Sequence, residues 1–198
     1  RQYADYAHFL RTLPRRFPWR GLEAGYLGYN HSIKQIIVYL LGESTSAFRL
    51  ATATKVLLLA PLGMVGGRFV RGTLRGPQVD PSPRGLELAF ALYLGAFIWL
   101  DMVWELSLGI VIFGYLLATS EQRGVKGFIW SVFLPYALID LWQLVSFAAF
   151  GMDVVAPGPY VLTDPSIYVP LIMAVILVFY AILVKRLWDA APTRRKAS

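Results

Sequence analysis

Of the chain's 198 residues, 57% are hydrophobic and 16% charged, where a soluble domain has roughly 45–50% and about 25%; with a mean hydropathy of +0.53, this predicts an integral membrane protein. The absence of cysteine and the presence of only two histidines, His8 and His31, exclude disulfides, zinc-thiolate or iron–sulfur centres and a thiol nucleophile, and leave no expected metal or other cofactor. The net charge of +7 comes from 19 Lys and Arg interleaved with apolar runs, which reads as a topology signal and argues against a nucleic-acid partner.

In chain order, the opening Arg1-Gln2-Tyr3 has neither an initiator Met nor a signal sequence, so either the start was processed or upstream residues are absent, and the chain is read as the C-terminal part of a longer protein. Residues 1–49 contain nothing apolar enough to span. Phe9, Leu10, Leu13, Phe17, Trp19 and Leu22 alternate with Arg11, Arg15, Arg16 and Arg20, as in a segment lying on a membrane surface; Pro14 and Pro18 break it into short pieces. Within it, 32–41 places Ile33, Ile36, Ile37 and Leu40 at helical spacing behind Ser32 as N-cap, predicting a short interfacial or re-entrant helix.

A span needs about 20 apolar residues to cross a core ~30 Å thick. The stretches 50–70, 128–150 and 168–187 satisfy that length, whereas 86–119, at 34 residues, makes about 51 Å of straight helix. Its middle carries Asp101 and Glu105, and a carboxylate at the bilayer centre costs roughly 2.5–3.5 kcal/mol. A turn at 101–105 is therefore expected, giving short spans 86–100 and 106–119. The fold class is an all-α integral membrane protein with about five transmembrane helices in a bundle over 50–188, an outer-face N-terminal segment and a basic tail, 189–198. Lys and Arg cluster at 68–84, 123–126 and 185–196 and are missing from 101–105 and 151–167. The positive-inside rule then puts the C-terminus in the cytoplasm; the membrane is expected to be the plasma (inner) membrane.

The outer side collects Asn30, His31, Ser32, Lys34, Asp101, Trp104, Glu105, Asp153, Tyr160 and Asp164. Carboxylates beside cations and aromatics at a lipid edge are the parts with which a transferase binds a lipid phosphate and deprotonates an acceptor hydroxyl; outer loops are also polar, and Trp and Tyr belts common, where no chemistry occurs. Asp101 and Glu105, four apart, share a face in any helical turn. Asn30-His31-Ser32 also fits an N-glycosylation acceptor. Lys55 can snorkel from the outer end of the first span. Asp140, in mid-span, should face protein or water and remain protonated or pair with Tyr115 or Lys55. Pro61 with Gly63, Gly66 and Gly67 predicts a kinked, closely packed end of the first span. There is no phosphate-binding, dinucleotide-binding or serine-hydrolase motif.

An outer Asn-x-Ser before a short amphipathic helix, two spans, an outer corner with Trp followed by an acidic residue, three further spans and a basic tail together resemble the C-terminal half of polyprenyl-phosphate-sugar-dependent glycosyltransferases, the mannosyltransferase-like group of the GT-C class. Asn30-His31-Ser32 stands where that family has Asn-Gln-Ser, and Trp104-Glu105 where it has a Ser-Pro-x-Ser-Trp-(acidic or His) corner. This corner lacks the Pro and the His, and the family's catalytic carboxylate belongs to an earlier outer loop that would precede Arg1. The resemblance implies inverting transfer of a hexose from a polyprenyl-phosphate carrier to a hydroxyl acceptor at the outer face. Asp101 and Glu105 would be the acidic groups, and Asn30, His31, Ser32, Lys34 and Trp104 the carrier or acceptor contacts. Partners would be membrane lipids and the lipid-linked sugar. Two other readings remain open: a non-catalytic subunit of a larger photosynthetic or respiratory membrane complex, packed against other subunits, and a small transporter using Asp140. In the first reading, 30–34 must come within reach of 101–105.

Overall fold

The computed structural model describes residues 30–75, 82–101, 103, 106, 108–150 and 170–190, and every regular element among them is helical. The elements are α1 (Ile33–Leu41), α2 (Thr45–Arg75), α3 (Ser82–Trp99), α4 (Gly109–Thr119), α5 (Arg123–Phe150) and α6 (Leu171–Ala190). The interfacial segment expected before residue 30, the loop 151–167 with Asp153, Tyr160 and Asp164, and the tail beyond Ala190 lie outside the described residues.

Local chemistry sets the boundaries. Ser32 caps α1 by accepting from the Gln35 backbone N–H, and Gly42, at φ +78°, closes it by donating to the Val38 carbonyl. An L side chain adopts that left-handed conformation only with strain, so glycine suits the position. Ser44 Oγ accepts from the Ala47 N–H at 3.1 Å to start α2. The long apolar stretch divides as expected from its two carboxylates: α3 ends at Trp99, the chain leaves helical geometry through Asp101, Val103 and Leu106, and α4 starts at Gly109. Tyr93 Oη accepts from the Leu108 N–H at 3.2 Å, occupying one of the donors that open α4.

Buried contacts fix the directions of the helices. Lys55 of α2 reaches the last carbonyls of α3, Arg186 of α6 meets Glu87 near the start of α3, and the same guanidinium meets Thr119 at the end of α4. Helices α2, α3 and α6 therefore run alternately, α4 runs with α6, and α5 returns through the short 120–122 turn. At the centre, α6 buries one broad face, including Ile172, Ile176, Phe179, Leu183 and Leu187. Phe133 of α5 stacks on Phe113 of α4, with ring centres 4.2 Å apart, and lies 5.9 Å from Phe179.

Among the described residues two helices are long and apolar enough to cross a bilayer, α2 over Thr45–Arg71 and α6 over Leu171–Ala190. At 1.5 Å per residue the eleven residues of α4 extend only about 16 Å, short of a ~30 Å core; the expected five spans are thus not established by helix length. The outward residues are nevertheless apolar on most helices: Leu57 is 74% exposed and Ile110 70%, with Val56, Leu92, Trp130, Leu138 and Leu141 also exposed.

One packing expectation is corrected. Gly63, Gly66 and Gly67 do not mediate close packing, since a Cβ added at any of them meets nothing within 4 Å. The close approach is at Gly95 of α3, where an added Cβ would lie 2.8 Å from Leu62 Cδ2 and 3.3 Å from Leu59 Cδ2.

Candidate functional site

The residues before α1 are folded onto the turn after α3. Asn30 carries most of that junction: its Oδ1 accepts from the backbone N–H groups of Ser32 and Val103, each at 3.1 Å, and its Nδ2 donates to the Asp101 carbonyl at 2.9 Å. The His31 N–H donates to the Val103 carbonyl at 2.9 Å. Asn30, His31 and Ser32 are all at most 2% exposed. A carboxamide, with an acceptor and two donors on one rigid plane, suits the joining of two loop backbones 70 residues apart in sequence better than a hydroxyl or a carboxylate.

This burial corrects two expectations. Asn30 has no room to carry a glycan in the folded chain, so the acceptor motif is not used in this fold. Asn30 and Ser32 also direct their polar atoms into the junction and the α1 cap, which makes them supports of the corner instead of direct contacts for a substrate.

Two ammonium groups converge on the neighbouring carboxylate. Lys34, in the first turn of α1, places Nζ 2.9 Å from Asp101 Oδ2 and 5.4 Å from the centre of the Phe48 ring. Lys55 of α2 pairs with Oδ1 and also donates to the Trp99 carbonyl at 2.8 Å and the Leu100 carbonyl at 3.4 Å. The Lys55 side chain is 6% exposed, whereas that of Asp101 is 58% exposed. Lys55 is thus a cation sealing the negative end of α3, where the last carbonyls lack helical partners. The sequence predicts Lys55 snorkelling towards the interface; here its ammonium is instead buried among protein acceptors, and its carboxylate partner is not apparent from the sequence.

Partial burial pushes the Asp101 carboxyl up, but the hydrogen bonds and charges of Lys55 and Lys34 outweigh it and hold the group below its ordinary value. Such a carboxylate stays ionised into acid and accepts a proton poorly, whereas a general base works best with a pKa near the operating pH. Asp101 is therefore suited to anchoring the two lysines, which between them share this one carboxylate among the described residues. Trp104 and Glu105 lie outside the described residues.

Asp140 falls within α5, but its side chain lies outside the described set. The partners proposed for it are engaged elsewhere: Lys55 as above, and Tyr115 hydrogen-bonded with Glu87. Glu87 belongs to a second polar cluster at the opposite end of the bundle. There Arg186 donates to Thr119 Oγ1 at 2.6 Å, Ser120 Oγ at 2.7 Å and Glu87 Oε1 at 3.3 Å. Sequence reading gave Arg186 only as part of the basic cluster 185–196; its meeting with Glu87, Thr119 and Ser120 depends on the register of three helices.

Comparison of the chain with family models, with curated proteins and with solved structures finds no match.

Proposed function

We propose that α2 to α6 form a five-span membrane bundle with the C-terminus in the cytoplasm, and that the chain is a membrane-embedded glycosyltransferase, or the C-terminal part of one, acting at the outer face. The observation that carries this reading is the junction of residues 30–34 with 101–103, with Lys34 and Lys55 gathered around Asp101. Two sequence segments assigned to carrier and acceptor binding thereby share one corner at one end of the bundle. The apolar residues exposed on α2 and α5 support the bilayer as their solvent, since a large outward apolar surface is costly in water.

In the proposed reaction the acceptor hydroxyl oxygen attacks the anomeric carbon of a hexose carried on a polyprenyl phosphate. The carbon–oxygen bond to the phosphate breaks, the carrier phosphate leaves with the electron pair, and the hydroxyl proton passes to a carboxylate. Glu105 is assigned that proton, because Asp101 is committed to its two lysines. Lys34 offsets the charge developing on the phosphate.

The test is transfer from a radiolabelled polyprenyl-phosphate hexose by the full chain in membranes. Glu105→Gln should lower turnover about 10²-fold or more, the usual scale of general-base loss, while leaving the thermal unfolding midpoint in place. Wild-type membranes with no transfer, or a Glu105→Gln variant as active as the parent, would replace this reading with that of a non-catalytic complex subunit.

A further inference from the structure

The bundle end opposite Asp101 presents a basic surface that the proposed reaction does not use. Around it the described residues include Arg68, Arg71 and Arg84, the pair Arg123 and Lys126, and Lys185 with Arg186. Their side chains are not equivalent. Arg186 is turned into the protein onto Glu87, Thr119 and Ser120, and Lys185 is paired with Asp189 at 2.5 Å. Arg68 instead lies outside the bundle with its guanidinium over the Trp188 ring, 3.9 Å from the ring centre. Arg68 and Arg71 are both exposed, and three residues apart they lie on one stripe of α2. Among the described residues no carboxylate pairs with Arg68 or Arg71.

A guanidinium held over an indole ring by a cation–π contact still has N–H groups with which to bind oxygen atoms. The ring fixes the guanidinium and, being 39% exposed, places an amphipathic aromatic where headgroups meet acyl chains. We infer that the Arg68–Trp188 pair, with Arg71, binds the phosphate of an anionic phospholipid headgroup in the leaflet at this end of the bundle. The membrane reading proposed above is the premise. Lipid, not a soluble phosphate, is the occupant because the stripe continues the apolar outward face of α2 at Val56, Leu57 and Met64: a molecule with phosphate at one end and hydrocarbon at the other fits both parts at once.

The full chain, purified in a neutral detergent, is titrated with phosphatidylglycerol and separately with phosphatidylcholine, with bound lipid counted by native mass spectrometry. Phosphatidylglycerol should bind in preference. Because an arginine near an anionic surface contributes roughly fivefold in affinity, Arg68→Gln with Arg71→Gln should weaken that binding by roughly 25-fold. Trp188→Leu, which keeps every charge, should weaken it by a smaller factor, and Arg49→Gln, an exposed arginine in the early part of α2, should leave it unchanged. Equal binding of the two lipids, an unchanged affinity in the double variant, or competition by millimolar inorganic phosphate would overturn the assignment. Failure of the membrane premise reads separately, as release of the chain from membranes by alkaline carbonate.

Discussion

At the scale of single residues, the Lys34–Asp101–Lys55 cluster divides its energy unevenly. Lys55 is buried and holds two α3 carbonyls besides the carboxylate, so Lys55→Met leaves several acceptors without a donor. After allowing for the exposure of Asp101, that should cost about 1–2 kcal/mol. Lys34 is partly exposed, and Lys34→Met should cost less than about 1 kcal/mol. Unfolding of both variants and of each combined with Asp101→Asn measures the two couplings; a larger loss at Lys34 would reverse the ranking. The same cluster sets an acid limit. The folded Asp101 titrates below its ordinary 3.8, so its contribution is present above that pH and disappears as pH falls through the folded value. The wild-type midpoint should therefore drop in that acid window more steeply than that of Asp101→Asn, and parallel curves would show that the pair adds nothing to folding.

At the scale of elements, the break after Trp99 and the cap at Ser32 were legible in the sequence because each has a local signal: two carboxylates interrupting a long apolar run, and a hydroxyl one residue ahead of a helical apolar period. The glycines were not legible. When both the interior and the surroundings of a bundle are apolar, hydrophobic periodicity loses the contrast that marks which face is buried, so spacing alone could not tell the outward Gly63 and Gly67 from the inward Gly95. Nor could it pair Lys55 with Asp101, 46 residues apart, since that pairing depends on how α2 and α3 are set against each other. The junction of 30–34 with 101–103 was expected from the order of motifs, but the supporting use of Asn30 was not. The glycine assignment yields opposite outcomes for adding a side chain at the two kinds of position. Gly63→Ala or Gly67→Ala, in open surroundings, should be neutral or stabilising by about 0.5–1 kcal/mol. Gly95→Leu, forced against Leu59 and Leu62, should cost about 1–3 kcal/mol or more. Thermal unfolding of the three variants in detergent checks the contrast, and a stabilised Gly95→Leu would mean that the α2–α3 contact is wrongly placed.

At the scale of the whole molecule, the two polar clusters lie at opposite ends of one helix: Glu87 belongs to the start of α3, while Asp101 follows its end, fourteen residues later, or about 21 Å away along a helix. Each contains a cation from a neighbouring helix that contacts the C-terminal part of another, Lys55 at α3 and Arg186 at α4. Among the described residues the larger cluster of exposed Lys and Arg lies at the Glu87 end, and by the positive-inside rule that end should remain in the cytoplasm. Because the 198 residues contain no cysteine, each introduced thiol reports alone. Leu40→Cys, at a site 67% exposed on the Asp101 side, should react with a membrane-impermeant maleimide in intact cells. Gln122→Cys, exposed in the α4–α5 turn, should react only after permeabilisation. Labelling of both in intact cells, or of Gln122→Cys alone, would break the link between charge and orientation. The proposed outer-face chemistry would lose its compartment with it, because a corner facing the cytoplasm could not receive a carrier-linked sugar from the outer leaflet.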